Sequence, residues 1–384
     1  QACIPGDHVR GTRGRHVVIV FCHLLNDHSG SPRVLCATLR ALDASRDGLL
    51  YVGSQGQGVL EEAGVPTRRY WYRRSRHRLV TLFTYFVSQV ALYRALARAR
   101  DIPRDAVIYV NTLLPFGAAL WGKRTGRRVI YHLHEVSVTP SLLRGFLTWI
   151  AARTAKRLIY VSEDHRTRLP IAGVPAAVVP NPIDPAISAR AASSAHERKE
   201  GFFRVLMLAS PRDFKGVPEV IGLARDFAMR PGFAFTLVLN GTPEEVGAYL
   251  GEDLPDNLDV HARTDDPADF IARADLVVNL SRVDQWIETF GLTLIEAMAF
   301  GLPVIAPPVG GPPEIVRHGR EGWLIDSRDR AALAEAVARA AADRALYEEM
   351  SRAARARAAD FGFDRFAKTL REVVSGVAIE MDNR

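Results

Sequence analysis

Apolar residues in this chain fall into short runs that alternate with helically spaced patterns, and the alternation occurs twice. In the first half, runs at 16–22, 49–53, 106–111, 128–134, 157–162 and 176–180 predict strands. They are nearly continuous in Val, Ile, Leu and Tyr, as expected of parallel strands covered on both faces. Helical patterns lie between them, notably at 31–43, 78–100 and 140–155. The pattern lapses across Ala186–Gly201, which is Ala/Ser-rich and charged and reads as a linker. It restarts with strand runs at 204–209, 234–240, 258–262, 276–280, 303–306 and 323–325. Helices are predicted at 217–228, 243–250, 267–274, 291–300 and 312–317, and a helical region closes the chain at 328–378. The reading is α/β, with two Rossmann-like doubly wound domains in tandem. An N-terminal domain takes 1–185, a linker 186–200, a C-terminal domain 201–360 and a terminal helix 361–384. Ligands of such sheets sit beyond the C-terminal ends of the strands, so two facing domains place a site in the cleft between them.

Composition narrows the class. At 384 residues and 48% hydrophobic, the chain can fill two cores. It has no uncharged apolar run of about 18 residues, and Gln1–Pro5 shows no hydrophobic signal core. Cys3, Cys22 and Cys36 are odd in number and clustered early, which argues against a disulfide framework or a metal knuckle and fits a reducing cytosol. The net charge of +7 is carried almost wholly by arginine, with lysine only at 123, 156, 199, 215 and 368. Such an excess suits anionic partners; a solvated Arg-rich surface is the plain alternative.

The most informative chemistry lies in Glu288–Asp326. Phe290 and Gly291 lead into a helix whose first amides, at Gly291, Leu292 and Thr293, are free to hold a phosphate. Glu296 stands among Leu294, Ile295, Ala297 and Met298, where a lone carboxylate is costly to bury. Ribose hydroxyls are its natural partner, and Glu288, ahead of the helix, would face a sugar. Arg212 and Lys215, in the loop after the first strand of the second domain, are candidates for neutralising a diphosphate. In Tyr131–Glu135, strand alternation puts His132 and His134 on one face, with His134 nearer the edge. A histidine capping the next turn is the bland reading of that pair. The turn His23–Arg33 contains one glycine, Gly30, and offers Asn26, Asp27 and His28 for acceptor hydroxyls or simply forms a polar turn. The run Arg68–Arg78, followed by apolar Leu79–Tyr93, suits anionic lipid, single-stranded nucleic acid or a plain basic surface. Asp265, Asp266 and Asp269 are expected to cap a helix rather than bind metal.

The second half resembles glycosyltransferase family 4, a retaining family of GT-B fold. The resemblance rests on Glu288 and Glu296, Phe290-Gly291-Leu292, Gly301-Leu302-Pro303-Val304, Gly310-Gly311, Glu314 and Gly319–Gly322. It implies a nucleotide-diphosphate sugar donor, a UDP- or GDP-sugar, with no further cofactor and no metal. It further implies Arg212 and Lys215 on the diphosphate and His134 near the sugar 6-hydroxyl. Base contacts are expected near Arg263 and Thr264. Gly30 stands where the family often has a Gly-Gly pair touching diphosphate or acceptor, and the missing glycine is a departure. By analogy, the acceptor is a glycan or lipid-linked molecule of bacterial lipopolysaccharide or surface polysaccharide synthesis. The expected place is the cytoplasm at the inner face of the cytoplasmic membrane, with peripheral contact through Arg68–Tyr93 and no nucleic-acid partner. A small soluble acceptor, or a non-catalytic GT-B subunit, remains as a rival.

Overall fold

The computed structural model describes residues 17–194, 201–251, 253–264 and 266–376. Cys3, Asp265, the stretch 195–200 of the expected linker and the chain beyond 376 lie outside the described residues.

The first domain is a seven-stranded sheet built from β1 (Ile19–His23), β2 (Gly48–Gly53), β3 (Thr67–Tyr70), β4 (Val107–Asn111), β5 (Arg128–His132), β6 (Arg157–Tyr160) and β7 (Ala176–Val178). The second is a six-stranded sheet of β8 (Phe203–Ala209), β9 (Phe233–Leu239), β10 (Leu258–His261), β11 (Leu276–Val278), β12 (Val304–Ala306) and β13 (Gly322–Leu324). Their orders are β3-β2-β1-β4-β5-β6-β7 and β10-β9-β8-β11-β12-β13, and every paired strand runs parallel. Strand order reverses between β1 and β4 and again between β8 and β11, which opens a ligand crevice at each place. The central strands are buried on both faces, so their sequences show no alternation. Helices cover them with one apolar stripe each. In Val217–Phe227 the stripe is Val220, Leu223, Ala224 and Phe227, spaced three and four apart.

Several elements differ from the sequence reading. Thr67–Tyr70 of the basic run is the edge strand β3, and only Tyr70 is buried there. An edge strand with one covered residue has no hydrophobic signature to read. The segment taken as an aperiodic linker opens with a helix, Pro185–Ser193, capped by Asp184, whose side chain accepts from Ala186 N. That helix buries Ile187 and Ala191 in the same core as Phe290 and Leu294. Helix Phe116–Arg124 was also unforeseen, because it is apolar nearly all round. The last helix, Phe363–Ser375, packs Phe366, Leu370 and Val373 against Phe21, Leu35 and Leu39 of the first domain. Each such side chain contributes about 1.5–3 kcal/mol on burial, which ties the chain end to the opposite domain.

Among the described residues one helix, Arg78–Arg98, is long and apolar enough to cross a bilayer by length and composition alone. It packs on the first domain through Tyr85, Leu92 and Leu96, which are buried.

Candidate active site

A cleft of about 2010 Å³ separates the two domains. It brings together Glu288, Glu296, Arg212, Lys215, His134 and Arg263, with Gly30 and the helix start at Gly291–Thr293.

The C-terminal wall is built by close backbone contact. Gly216 ends the turn that carries Lys215, at φ +87°, and a Cβ there would lie 2.1 Å from Leu280 O. The pair Gly310-Gly311 packs under the Glu288 segment. A Cβ on Gly310 would meet Glu288 O at 2.3 Å, and Gly311 N donates to that same carbonyl at 2.8 Å. Glycine is therefore required where the backbones touch, which explains the spacing of this motif. Lys215 Nζ donates to Glu288 Oε2 at 2.8 Å and sits 4.7 Å above the Trp286 ring, itself stacked on Phe214. Burial pushes the Glu288 carboxyl up, but the Lys215 charge and hydrogen bonds from Lys215, Asn279 and Ser281 outweigh it and hold it below its ordinary value. The loop is anchored from behind, as Tyr249 Oη donates to Asp213 and Arg282 pairs with Glu219.

Glu296 is 2% exposed and is paired with Arg33 of the first domain. Burial leaves its carboxyl raised above the usual range despite the guanidinium. Arg212 and Arg263 are exposed in the cleft, and neither has an ion-pair partner among the described residues. Phe290 corrects one expectation: although it borders the cleft, it is 3% exposed and its ring packs on Phe361 at 5.8 Å. It therefore supports the helix start and holds it in place. Leu292 and Thr293 are partly exposed, and no side chain caps their helix.

The N-terminal wall is a buried polar network. β5 ends at His132, earlier than expected, which leaves His134 in the following loop. His132 is fully buried, with Nδ1 2.8 Å from Tyr109 Oη, so His134 is the one that lines the cleft. His134 Nε2 is 3.0 Å from Asn111 Oδ1. An amide oxygen only accepts, so Nε2 carries the proton. Asn111 in turn donates to His23 Nδ1 at 3.1 Å and Ser31 O at 3.2 Å. Burial first, then the neighbouring imidazoles His132, His165 and His23, hold His134 well below its ordinary value and hence neutral. Glu135 accepts from the His134 and Leu113 amides, and burial pushes it up to about 7. Asn26 is 1% exposed and bonds Glu61 and the Gly58 and Leu60 backbone, so it braces the loop and is closed to an acceptor. Gly30 begins helix Gly30–Ala41, where a Cβ would make only ordinary contact with Leu292.

Thr289, which sequence reasoning did not single out, joins the walls. Its Oγ1 donates to His134 O at 3.1 Å, and its carbonyl accepts from Ser162 Oγ at 2.8 Å. Glu314 accepts from the Glu163 and Asp164 amides at 2.9 and 2.6 Å, capping a helix of the other domain. Asn279, Ser281, Trp286 and Asn111 were also missed. Asn279 and Asn111 stand at strand ends, the one position-based signal that pointed to them. Asp266 caps helix Pro267–Arg273, as expected.

The basic run is divided in two. Arg68 pairs with Asp101 at 2.6 Å and Arg69 with Glu61. Arg73, Arg74, Arg76 and Arg78 are exposed and without an ion-pair partner among the described residues. Beside them Leu79 is 82% and Phe83 69% exposed, and helix Ser141–Thr154 adds Leu142 at 85% and Trp149 at 52%. Phe86 and Phe146 join the two helices, ring centroids 5.8 Å apart.

Comparison with known proteins matches this architecture. Residues 28–187 match the model described as Glycosyltransferase Family 4, and residues 189–357 match Glycosyl transferases group 1. A D-inositol 3-phosphate glycosyltransferase of Acidothermus cellulolyticus is 33% identical over 253 residues, covering 62% of this chain and 54% of that protein. The Streptomyces avermitilis protein of that name is 41% identical over 106 residues, 28% of this chain and 22% of its own length. The matched stretches thus span well under two thirds of these relatives. Among solved structures, Anabaena HepE in complex with UDP and glucose superposes with a TM-score of 0.74 at 20% identity, covering 94% of this chain and 100% of that one. Sucrose-phosphate synthase from Thermosynechococcus elongatus gives 0.72 at 18%, covering 94% and 99%. At such identities the superpositions speak for the fold alone. With one family match on each sheet and the cleft between them, the chain belongs to glycosyltransferase family 4 and has the GT-B fold.

Proposed function

We propose that this chain transfers a sugar, with retention of anomeric configuration and without a metal, from a UDP- or GDP-sugar to a glycan or lipid-linked acceptor. The observation that carries the reading is the C-terminal wall. Lys215 and Arg212 stand beside an uncapped helix start, with Glu288 and buried Glu296 on either side. A nucleoside diphosphate gains charge as its bond to the sugar breaks, and fixed cations there favour the transition state over the bound substrate. In this scheme Glu296 takes ribose hydroxyls and Glu288 faces the anomeric carbon. Neutral His134 holds the sugar from the other wall. The departing phosphate oxygen takes the acceptor proton, so no dedicated base is needed. In this scheme Arg212 and Lys215 fill the role of a cation. Structures of Anabaena HepE hold UDP and UDP-glucose, which supports a uridine donor.

The acceptor side is argued from the Arg73–Arg78 surface and its exposed apolar neighbours, which suit an anionic bilayer. The rival is a small soluble acceptor, favoured by the inositol phosphate named for the relatives. A thermal-shift screen against UDP, GDP, ADP and dTDP sugars tests the donor; no stabilisation by any of them refutes it. Co-sedimentation with phosphatidylglycerol vesicles at low salt tests the surface, and failure to bind favours the soluble acceptor. The anomeric configuration of the transferred sugar in the isolated glycoside, read by NMR and compared with that of the donor, decides retention, and full activity in EDTA decides the metal.

A further inference from the structure

The contacts that span the cleft are of two kinds. At one end they involve backbone groups: the Thr289 carbonyl and hydroxyl with Ser162 and His134 O, and Glu314 on two amides. At the other end the Arg33–Glu296 ion pair joins side chains 263 residues apart, with Asn240 Nδ2 donating to His28 O nearby. Only one guanidinium nitrogen, Nη2, meets one carboxylate oxygen, and the Arg33 side chain stays 30% exposed while Glu296 is sealed in at 2%. A single-point contact satisfies a buried carboxylate poorly, whereas a cis-diol offers it two O–H donors at once.

Arg33 lies in the first turn of helix Gly30–Ala41, whose start faces that of helix Leu292–Ala299; a Cβ on Gly30 would be 3.6 Å from Leu292 Cδ1. Glu296 is four residues along the second helix, about 6 Å in axial rise beyond the free amides at its start. A guanidinium on a flexible stem that leaves Glu296 can cover that distance without domain movement.

We propose that Arg33 is an exchangeable donor-site ligand. It holds Glu296 across the cleft before nucleotide binds and passes to the diphosphate when ribose hydroxyls take the carboxylate. This rests on the donor reading above. It adds a first-domain cation to the diphosphate, in the loop whose family glycine pair is incomplete, and it couples nucleotide entry to contact between the walls. Exchange avoids leaving Glu296 buried without a partner at either stage.

Calorimetric titration of the full chain with UDP, GDP, uridine and guanosine tests it, using wild type, Arg33→Gln, Arg33→Lys and Glu296→Gln. Thermal melts confirm that each variant is folded. Arg33→Gln is expected to lose roughly 10–100-fold in affinity for the favoured diphosphate, the range of one charge-assisted contact. Its affinity for the matching nucleoside should be unchanged or higher, since a competitor for Glu296 has gone. Arg33→Lys should recover part of the diphosphate affinity, and Glu296→Gln should weaken nucleoside and diphosphate together. Equal losses for nucleoside and diphosphate in Arg33→Gln would reduce Arg33 to a structural strut and overturn the exchange. Unchanged binding of both would remove it from the site altogether. If wild type binds neither diphosphate, the donor reading fails and the exchange falls with it. If Glu296→Gln alone is silent, the ribose assignment is at fault.

Discussion

The two walls of the cleft solve opposite electrostatic problems. The C-terminal wall keeps charge, and pairs it: Lys215 with Glu288, Arg282 with Glu219, and Glu296 with a guanidinium from across the cleft. The β1, β4 and β5 end of the N-terminal wall suppresses charge. His23, His132, His134 and His165 are all pushed down by burial, to about 4, about 3, well below normal and about 4, while Glu135 is pushed up to about 7. A charged wall suits a diphosphate whose charge grows. A neutral one suits sugar hydroxyls, which need directed hydrogen bonds and gain little from net charge. The same burial that would ruin a lone ion thus makes one wall electrostatically active and the other passive, according to whether a partner is supplied.

The largest test of this contrast is on the charged wall. Lys215→Ala or Glu288→Ala should lower the transfer rate by about 10²–10³-fold, the usual cost of losing one fixed charge-stabilising group. Single-turnover kinetics on a donor found by the thermal-shift screen should show nucleotide affinity much less affected in Glu288→Ala. Matching changes on replacing His134 would erase the distinction between the walls.

Next in size is acid lability from the neutral wall. Each of the four histidines has a folded pKa below its unfolded value of about 6.5, so the unfolded chain binds more protons and stability falls as pH drops from 6.5 toward 4. Glu135 and Glu296 are raised, and so act in the opposite sense. The four imidazoles outnumber the two raised carboxyls, so the net effect is a loss of stability as pH falls below about 6.5. Urea melts at pH 6.5 and 5.5 measure it, and a flat profile would mean that the imidazoles are accessible to protons.

Asn111→Ala should cost about 1–3 kcal/mol, since it strips partners from His134, His23 and the Ser31 carbonyl together. The His134 signal in NMR should then titrate nearer the normal range. The smallest effect is expected from Glu135→Gln. It removes one group that takes up a proton in the folded state, steepening the acid loss by at most about 1.4 kcal/mol per pH unit. An unchanged slope would show that Glu135 is ionised throughout.

Legibility in the sequence also differed between the walls. Glu288, Gly291, Glu296 and Gly310-Gly311 fall within a short stretch; backbone contacts inside that stretch force Gly310 and Gly311, and a φ of +119° favours glycine at Gly291. A local pattern therefore revealed them. The other wall draws on β1, β4 and β5 and on the helix after β6, so no window of sequence contains it. His134 was separable from His132 by strand direction alone, but the tautomer, the neutrality and Asn111 were not. Phe290 shows the converse error: a residue inside the right motif whose side chain serves the core.

What the sequence determined by itself was set by periodicity and local backbone need: two parallel sheets, the helix start at Gly291, and a carboxylate at 296 that required a partner. The tertiary structure decided which partner it met, Arg33, and which arginines of the basic run were already spent on Asp101 and Glu61. It also decided the burial that pushes His23, His132, His134 and His165 below their ordinary range. Those outcomes depend on distance across the fold and on exclusion of water, and neither is encoded in the spacing of residues along a chain.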